Sequence, residues 1–215
     1  MRAPARRTGR GAAGLIVPEK VVLATHNPHK VEEFAAIVAA VRPELEVVGY
    51  EGPEPVEDGV TFAQNALIKA RTAAVHTGLP ALADDSGICV DVLGGAPGVF
   101  SAYWAGHRKD AVANVDLLLD QLSDVADPHR SAHFTSVIAL VIPGGAEHVV
   151  EGIWPGRLAT ARSGEGGFGY DPVFIPDGQT GGAERTAGEF SAAEKNAVSH
   201  RARAFVALAP LLRGL

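Results

Sequence analysis

Two adjacent carboxylates, Asp84 and Asp85, follow the apolar run Ala81-Leu-Ala and are followed by Ser86-Gly87. A short apolar run reads as a buried strand. Side chains alternate along a strand, so the two acids leave it on opposite faces, and one of them is aimed inward or into a cleft at the strand's end. A buried carboxylate is costly unless it is paired or holds a metal ion. Ser86-Gly87 is expected to form a tight turn, bringing a hydroxyl and backbone N–H groups beside the acids. An ordinary Asp-Asp-Ser-Gly surface turn explains the tetrapeptide equally well. Other stretches, supplying parts for one job, shift the balance.

Glu57-Asp58 stands before a helix, in a loop stiffened by Pro53 and Pro55. With Asp84 and Asp85 these acids could build an oxygen-ligand site for a hard cation such as Mg²⁺. Without a cation, converging carboxylates repel strongly enough that some stay protonated. The segment Thr25-His26-Asn27-Pro28-His29-Lys30 runs from a strand into a helix. Asn27 suits the N-cap and Pro28 the first helical position, while free N–H groups, the helix dipole and Lys30 favour an anion. No G-x-x-x-x-G-K-[ST] occurs, so this is not a P-loop. A capped helix with an exposed lysine is the plainer alternative.

Gly164 to Pro172 contains a formal G-x-G-x-x-G, but no buried strand precedes it and Asp171-Pro172 forbids the helix that a dinucleotide fold needs next. A glycine loop presenting Phe168, Gly169, Tyr170 and Asp171 instead suits a flat aromatic ligand: Phe168 or Tyr170 stacks and a carboxylate or backbone group reads the edge. Near the C-terminus, Lys195, His200 and Arg201 add three cations. On an unbroken helix Lys195 and Ser199 share a face while His200 and Arg201 swing away, so the helix is expected to break near Ser199, which caps a second segment.

The elements that must position these groups alternate. Val21–Ala24 and Leu45–Tyr50 read as strands, with a helix between them carrying Phe34, Ile37, Val38 and Val41 at helical spacing. A helix over Thr61–His76 carries Asn65, Lys69, Thr72 and His76 as a polar stripe opposite Phe62, Ala66, Ala70 and Ala73. A helix over Lys109–Leu122 should bury Val112, Val115, Leu118, Leu119 and Leu122. His133–Ile142 and Glu147–Trp154 form a hairpin about Pro143-Gly-Gly-Ala146, Pro172–Ile175 is a short strand, and Ser191-Ala-Ala-Glu194 is a capping box. The class is α/β with a mixed sheet.

Composition excludes several functions. The first 18 residues hold four arginines and no acid, leaving 15 basic against 25 acidic residues, or −10, in the remainder. A body that acidic argues against binding a nucleic-acid polymer. Residues 1–18 read as a disordered basic tail and residues 19–215 as a single domain. No apolar run has the length of a membrane span. The single Cys89 excludes an intrachain disulfide and fits a small buried hydrophobe in a reducing, cytoplasmic setting.

Taken together, A-T-H-N-P-H-K at 24–30, D-G-V-T-F-A-Q-N-A-L-I-K-A-R at 58–71, A-D-D-S-G-I-C-V-D-V-L-G-G-A-P-G at 83–98, G-G-F-G-Y-D-P-V-F at 166–174 and E-K-N-A-V-S-H-R at 194–201 resemble the inosine triphosphate pyrophosphatase family. Each motif is weak by itself; five in the same order are specific. The resemblance implies an elongated two-lobed α/β fold around a central mixed sheet with a cleft between the lobes, usually as a homodimer. It implies Mg²⁺-dependent hydrolysis of noncanonical purine nucleoside triphosphates, those of inosine, deoxyinosine and xanthosine, to the monophosphate and pyrophosphate. By the same resemblance Thr25–Lys30 bind the phosphates, Glu57 and Asp85 hold the metal, and Asp85 is the proton acceptor. Ser86, Phe168–Asp171, Lys195, His200 and Arg201 contact the nucleotide, with Asn65, Lys69 and Asp84 as accessory residues. Three positions depart from the pattern: Gln64 replaces an acid, Tyr103 replaces an arginine, and Ala192-Ala193 replaces a more charged stretch. Two rival functions are a pyrophosphatase for modified or pyrimidine nucleotides and a nucleotide-binding module without catalysis.

Overall fold

A computed structural model of the protein describes residues 19–26 and 28–215. The expected N-cap Asn27 and the tail 1–18 lie outside the described residues, as do the side chains of Pro28 and His29. The strands are β1 Lys20–Leu23, β2 Glu46–Gly49, β3 Ala81–Val90, β4 Ser131–Val141, β5 Glu147–Leu158 and β6 Phe174–Pro176; the helices are α1 Pro28–Val41, α2 Phe62–Thr77, α3 Ala111–Gln121, α4 Ala192–Val198 and α5 His200–Arg213. One sheet orders them β2-β1-β3-β4-β5-β6, with β1 parallel to β2 and β3 and the remaining pairs antiparallel. This is the expected α/β class with a mixed sheet.

β3, β4 and β5 are long and run through both lobes. In one lobe they carry two cores, one per face. Leu82, Ile138 and Leu140 pack on one face with Phe34 and Val38 of α1 and Phe205 and Leu208 of α5. Ala81, Ala83, Val137 and Ala139 pack on the other against Ala66, Ala70 and Ala73 of α2. The second lobe gathers Ile88, Val90, Phe134 and Trp154 from the far strand ends with Val115 and Leu118 of α3 and Phe174 of β6. Small residues permit the closest approaches. A Cβ on Gly152 of β5 would lie 2.2 Å from the His200 carbonyl and 2.3 Å from the Ala204 nitrogen, so α5 starts directly on the sheet.

Two expectations about packing fail. Val112 is 57% exposed: Asp110 caps α3 by accepting from the Val112 and Ala113 amides, which sets Val112 on the outer side of the first turn. Asn65, placed on the polar stripe of α2, is buried, because its side-chain oxygen turns back to accept from the Gly59 amide (2.9 Å) and fixes the acidic loop. Gln64 occupies the matching outer position and accepts from the Val60 amide (2.7 Å). As an acceptor there it does what a carboxylate would, without the charge.

Candidate functional site

The site is built on an interrupted sheet edge. β1 pairs with β3 only through Val22–Ala81 and Leu23–Leu82, and its last bond to β3 is the Ala24 amide to the Leu82 carbonyl. β3 runs on past this point, held on its other side by β4 as far as Val90. The expected tight turn at Ser86-Gly87 is therefore corrected: both are mid-strand. Gly87 is required for a close approach rather than a turn, since a Cβ there would lie 2.4 Å from the Ser101 hydroxyl oxygen and 2.5 Å from the Gly98 carbonyl. That hydroxyl accepts from the Ile88 amide (2.9 Å) and donates to the Gly98 carbonyl (2.6 Å). Between Ala83 and Ile88 the edge opens into a cleft, where side chains from both faces of β3 reach one space.

Asp84 and Asp85 leave β3 on opposite faces, each toward its own partners. Asp84 is buried on the α1/α5 face, where Lys30 donates to both carboxylate oxygens (2.9 and 3.1 Å) and Arg201 lies 3.6 Å away. Burial alone would raise its pKa, but Lys30 above all, then Arg201 and Lys69, hold it down at about 2. Asp85 faces α2. Lys69 reaches one of its oxygens (3.3 Å) and also Glu57 (3.2 Å), while the other oxygen, Oδ2, is buried with no hydrogen-bond partner among the described residues. Burial raises the Asp85 pKa, Lys69 opposes it and Glu57 adds to it, leaving a carboxylate more basic than usual. Lys69 is the counterpart: burial pulls it down, yet Asp85, Asp84 and Glu57 together raise it, so it stays charged.

Three chambers meet along this edge. One, of about 310 Å³, is walled by Ser86, Phe134, Phe168, Gly169, Tyr170, Asp171, Lys195 and His200. Another, of about 200 Å³, is walled by Thr25, His26, Lys30, Glu54, Glu57, Lys69 and Asp84. A third, of about 530 Å³, connects them and takes in Asp85, Ser86, Phe168 and Arg201. The structure thus brings the motifs together. His26 stands at the rim, stacked on Tyr50 and hydrogen-bonded to Glu54 (2.7 Å) rather than turned to the centre.

In the aromatic chamber only part of the expected reading apparatus is available. Phe168 is 65% exposed, with the Lys195 ammonium 4.3 Å from its ring centre. Tyr170, expected as an alternative stacking ring, is buried, and its hydroxyl donates to the Ser101 carbonyl (2.9 Å). Asp171, expected to read a ligand's edge, is buried too: it accepts from the Phe168 amide (2.6 Å) and pairs with Lys195. Its carboxylate folds the glycine loop, as the tight start of that loop demands. The helix break at Ser199 is present. Ser199 ends α4 and, accepting from the Ala202 amide, caps α5. His200 and Arg201 are thereby driven under the chamber. His200 stacks on Phe134 (4.9 Å between centres) and its Nδ1 has no hydrogen-bond partner among the described residues; burial first, then Arg201 and Lys195, lower its pKa to about 3. The ring is therefore neutral at physiological pH.

Residues 21–211 match the model of the Ham1 family. The chain belongs to the Ham1 family. A dITP/XTP pyrophosphatase of Leifsonia xyli is 61% identical over 196 residues, covering 91% of this chain and 96% of the relative. Among solved structures, a HAM1 protein from Coxiella burnetii has a TM-score of 0.82 at 38% identity, covering 91% of this chain and 99% of that one. A nucleoside-triphosphatase / dITP/XTP pyrophosphatase from Mycobacterium abscessus has a TM-score of 0.75 at 48% identity, covering 89% and 99%.

Several residues of this Ham1-family site lie outside the five motifs, and apart from Tyr103 they carried no signal in the sequence. Ser101 and Asn114 shape the aromatic chamber, and Tyr103 and His107, stacked 5.5 Å apart, wall the connecting one. They lie on a 3-10 turn (Gly98–Tyr103), a loop and the start of α3, whose approach to β3 no local pattern announces. Cys89 is half-buried and burial raises its pKa, in keeping with a packing role.

Proposed function

We propose that this protein hydrolyses noncanonical purine nucleoside triphosphates, those of inosine, deoxyinosine and xanthosine, to the nucleoside monophosphate and pyrophosphate. One observation carries the proposal. An aromatic chamber lies on one side of the β3 edge and a chamber lined by lysines and carboxylates on the other, with a basic, half-satisfied Asp85 between them. A purine fits the first and a polyphosphate the second. Relatives named dITP/XTP pyrophosphatase support the choice of purine.

Mg²⁺ belongs to this reading. Among the described residues no group of three or more His, Cys, Asp or Glu side chains converges on a metal position. Mg²⁺ needs no such cage, being held by one or two carboxylates with substrate phosphates and water. Glu57 and Asp85 fit that role: the Lys69 ammonium already bridges them, and the partnerless Asp85 Oδ2 remains to be satisfied. When bound there, Mg²⁺ supplies neutralisation of the charge that builds on the leaving pyrophosphate.

The protein's own groups do the rest. Asp85 borders the connecting chamber but neither of the other two, which supports the reading that it acts beside the α-phosphorus of a nucleotide spanning all three. There it orients and deprotonates the attacking water. Lys30 and Lys69 stabilise the developing phosphate charge, and Lys195, with Phe168, backs the base. Neutral His200 presents a ring nitrogen to the base. An N–H aimed at O6 is satisfied by a 6-oxo purine and faces another donor in adenine, which is how adenine is refused. A homodimer and a cytoplasmic setting complete the proposal. They are supported by the family resemblance and by composition, and no helix among the described residues is long and apolar enough to cross a membrane.

The test is pyrophosphate release from a panel of purine and pyrimidine nucleoside triphosphates, with and without Mg²⁺. The proposal expects release from inosine and xanthosine triphosphates only with the metal. Equal rates on inosine and adenosine triphosphates would defeat it, and a pyrimidine preference would favour the rival pyrophosphatase.

A further inference from the structure

Lys109 is the single non-glycine residue with a positive φ among the described residues, at 54°. That conformation is uncommon for a side-chain-bearing residue, and it persists only where the surroundings impose it. Here they do. On one side the Lys109 amide donates to the Gly106 carbonyl (3.3 Å), and the Ala105 amide is held by the Asn114 side chain (2.6 Å). On the other side Asp110 is locked as the cap of α3.

The enforced loop sets Lys109 at a particular junction. Among the described residues it alone walls all three chambers, and it alone is common to the aromatic chamber and the lysine- and carboxylate-lined chamber. The other lysines and the arginine of these walls are committed. Lys30 and Arg201 pair with Asp84, Lys69 with Glu57 and Asp85, and Lys195 with Asp171. Lys109 has no carboxylate partner among the described residues. A nucleotide brings an anion to that junction: with the base in one chamber and the terminal phosphates in the other, the ribose and the α-phosphate span the meeting place, and of the two only the α-phosphate is charged.

We propose that Lys109 grips the α-phosphate of the bound nucleotide, through the charge-assisted contact that a mobile ammonium makes with phosphate oxygens. The inference rests on the nucleotide reading above and adds to it a substrate-contacting residue outside the five sequence motifs. Because the α-phosphate stays with the monophosphate product and is absent from pyrophosphate, the two products separate this contact from every other.

Calorimetric titration of inosine monophosphate and of pyrophosphate, each with Mg²⁺, tests it on the wild type and on Lys109→Gly, Lys109→Met and Lys109→Arg. Glycine relieves the positive φ, so the melting temperature of Lys109→Gly should equal or exceed that of the wild type. Its affinity for inosine monophosphate should nonetheless fall about tenfold, as should that of Lys109→Met, with pyrophosphate affinity unchanged and Lys109→Arg near wild type. Unchanged monophosphate affinity in the folded glycine variant would overturn the assignment of Lys109 alone. An equal loss for both products would do so as well, by moving the ammonium to the outer phosphates. A wild-type protein that binds neither product would overturn the nucleotide reading, and this inference with it.

Discussion

Asp84 and Asp85 are neighbours in the chain with the same side chain, yet their environments have opposite consequences. Asp84 is enclosed by Lys30 and Arg201, which more than offset its burial and leave it a tie between α1, α5 and β3 that is ionised at physiological pH. Asp85 is shared with a lysine that also serves Glu57, keeps one oxygen without a partner, and is pushed toward protonation by burial. The difference arises from alternation along one strand: one face of β3 meets two helices bearing cations, the other a helix and an acidic loop. A fully compensated charge holds structure together, and an under-compensated one is available for a cation and a proton.

The sharpest way to break this contrast is to neutralise each acid in turn. Asp85→Asn should lower the turnover of inosine triphosphate by about 10³-fold while leaving the melting temperature unchanged or raised, since a poorly compensated buried charge is removed; steady-state pyrophosphate release and a thermal melt read both. Asp84→Asn should cost about 3–5 kcal/mol in urea unfolding, because it strands Lys30 and Arg201 beside a buried neutral group. A loss below about 1 kcal/mol would mean that the pair is not the tie described here.

The same contrast predicts how stability depends on pH. Asp84 has a folded pKa below its ordinary 3.8, so its contribution, about 2 kcal/mol, is complete above pH 4 and disappears as pH falls toward 2. His200 also has a depressed folded pKa, near 3 against 6.5. Below pH 6.5 the unfolded chain takes up a proton that the folded chain refuses, so stability declines as pH drops from 6.5 toward 3. His200→Gln should flatten the unfolding free energy between pH 6.5 and 4 and leave the steeper loss below pH 4 in place. The smallest effect on activity is expected at Lys195. Lys195→Met strands the buried Asp171 carboxylate and loosens the glycine loop, raising the KM for inosine triphosphate about three- to tenfold and lowering the melting temperature as well.

What could be read in advance follows from how local each cause is. The helix break at Ser199 was legible because two motif residues could not share a helical face with Lys195 and a serine stood ready to cap. The alternation that separates Asp84 from Asp85 was legible for the same reason. The turn at Ser86-Gly87 was misread because glycine marks both turns and close approaches, and only the Ser101 hydroxyl, fourteen positions after Gly87, decides between them. Tyr170 and Asp171 look like ligand readers in a glycine loop, but their partners, the Ser101 carbonyl and Lys195, are distant in sequence. Arg130 gave no hint at all: it is buried and donates to the carbonyls of Leu122, Val125, Leu158 and Ala159, tying the end of α3 to β5 through backbone oxygens.

The most direct test of the site as a whole is where the attacking oxygen goes. A single turnover of inosine triphosphate in ¹⁸O-enriched water, followed by mass spectrometry of both products, locates the phosphorus beside Asp85. With Asp85 bordering the connecting chamber, the label should appear in inosine monophosphate. Label in pyrophosphate would mean attack on the β-phosphorus and would contradict the placement of nucleotide and base along the β3 edge.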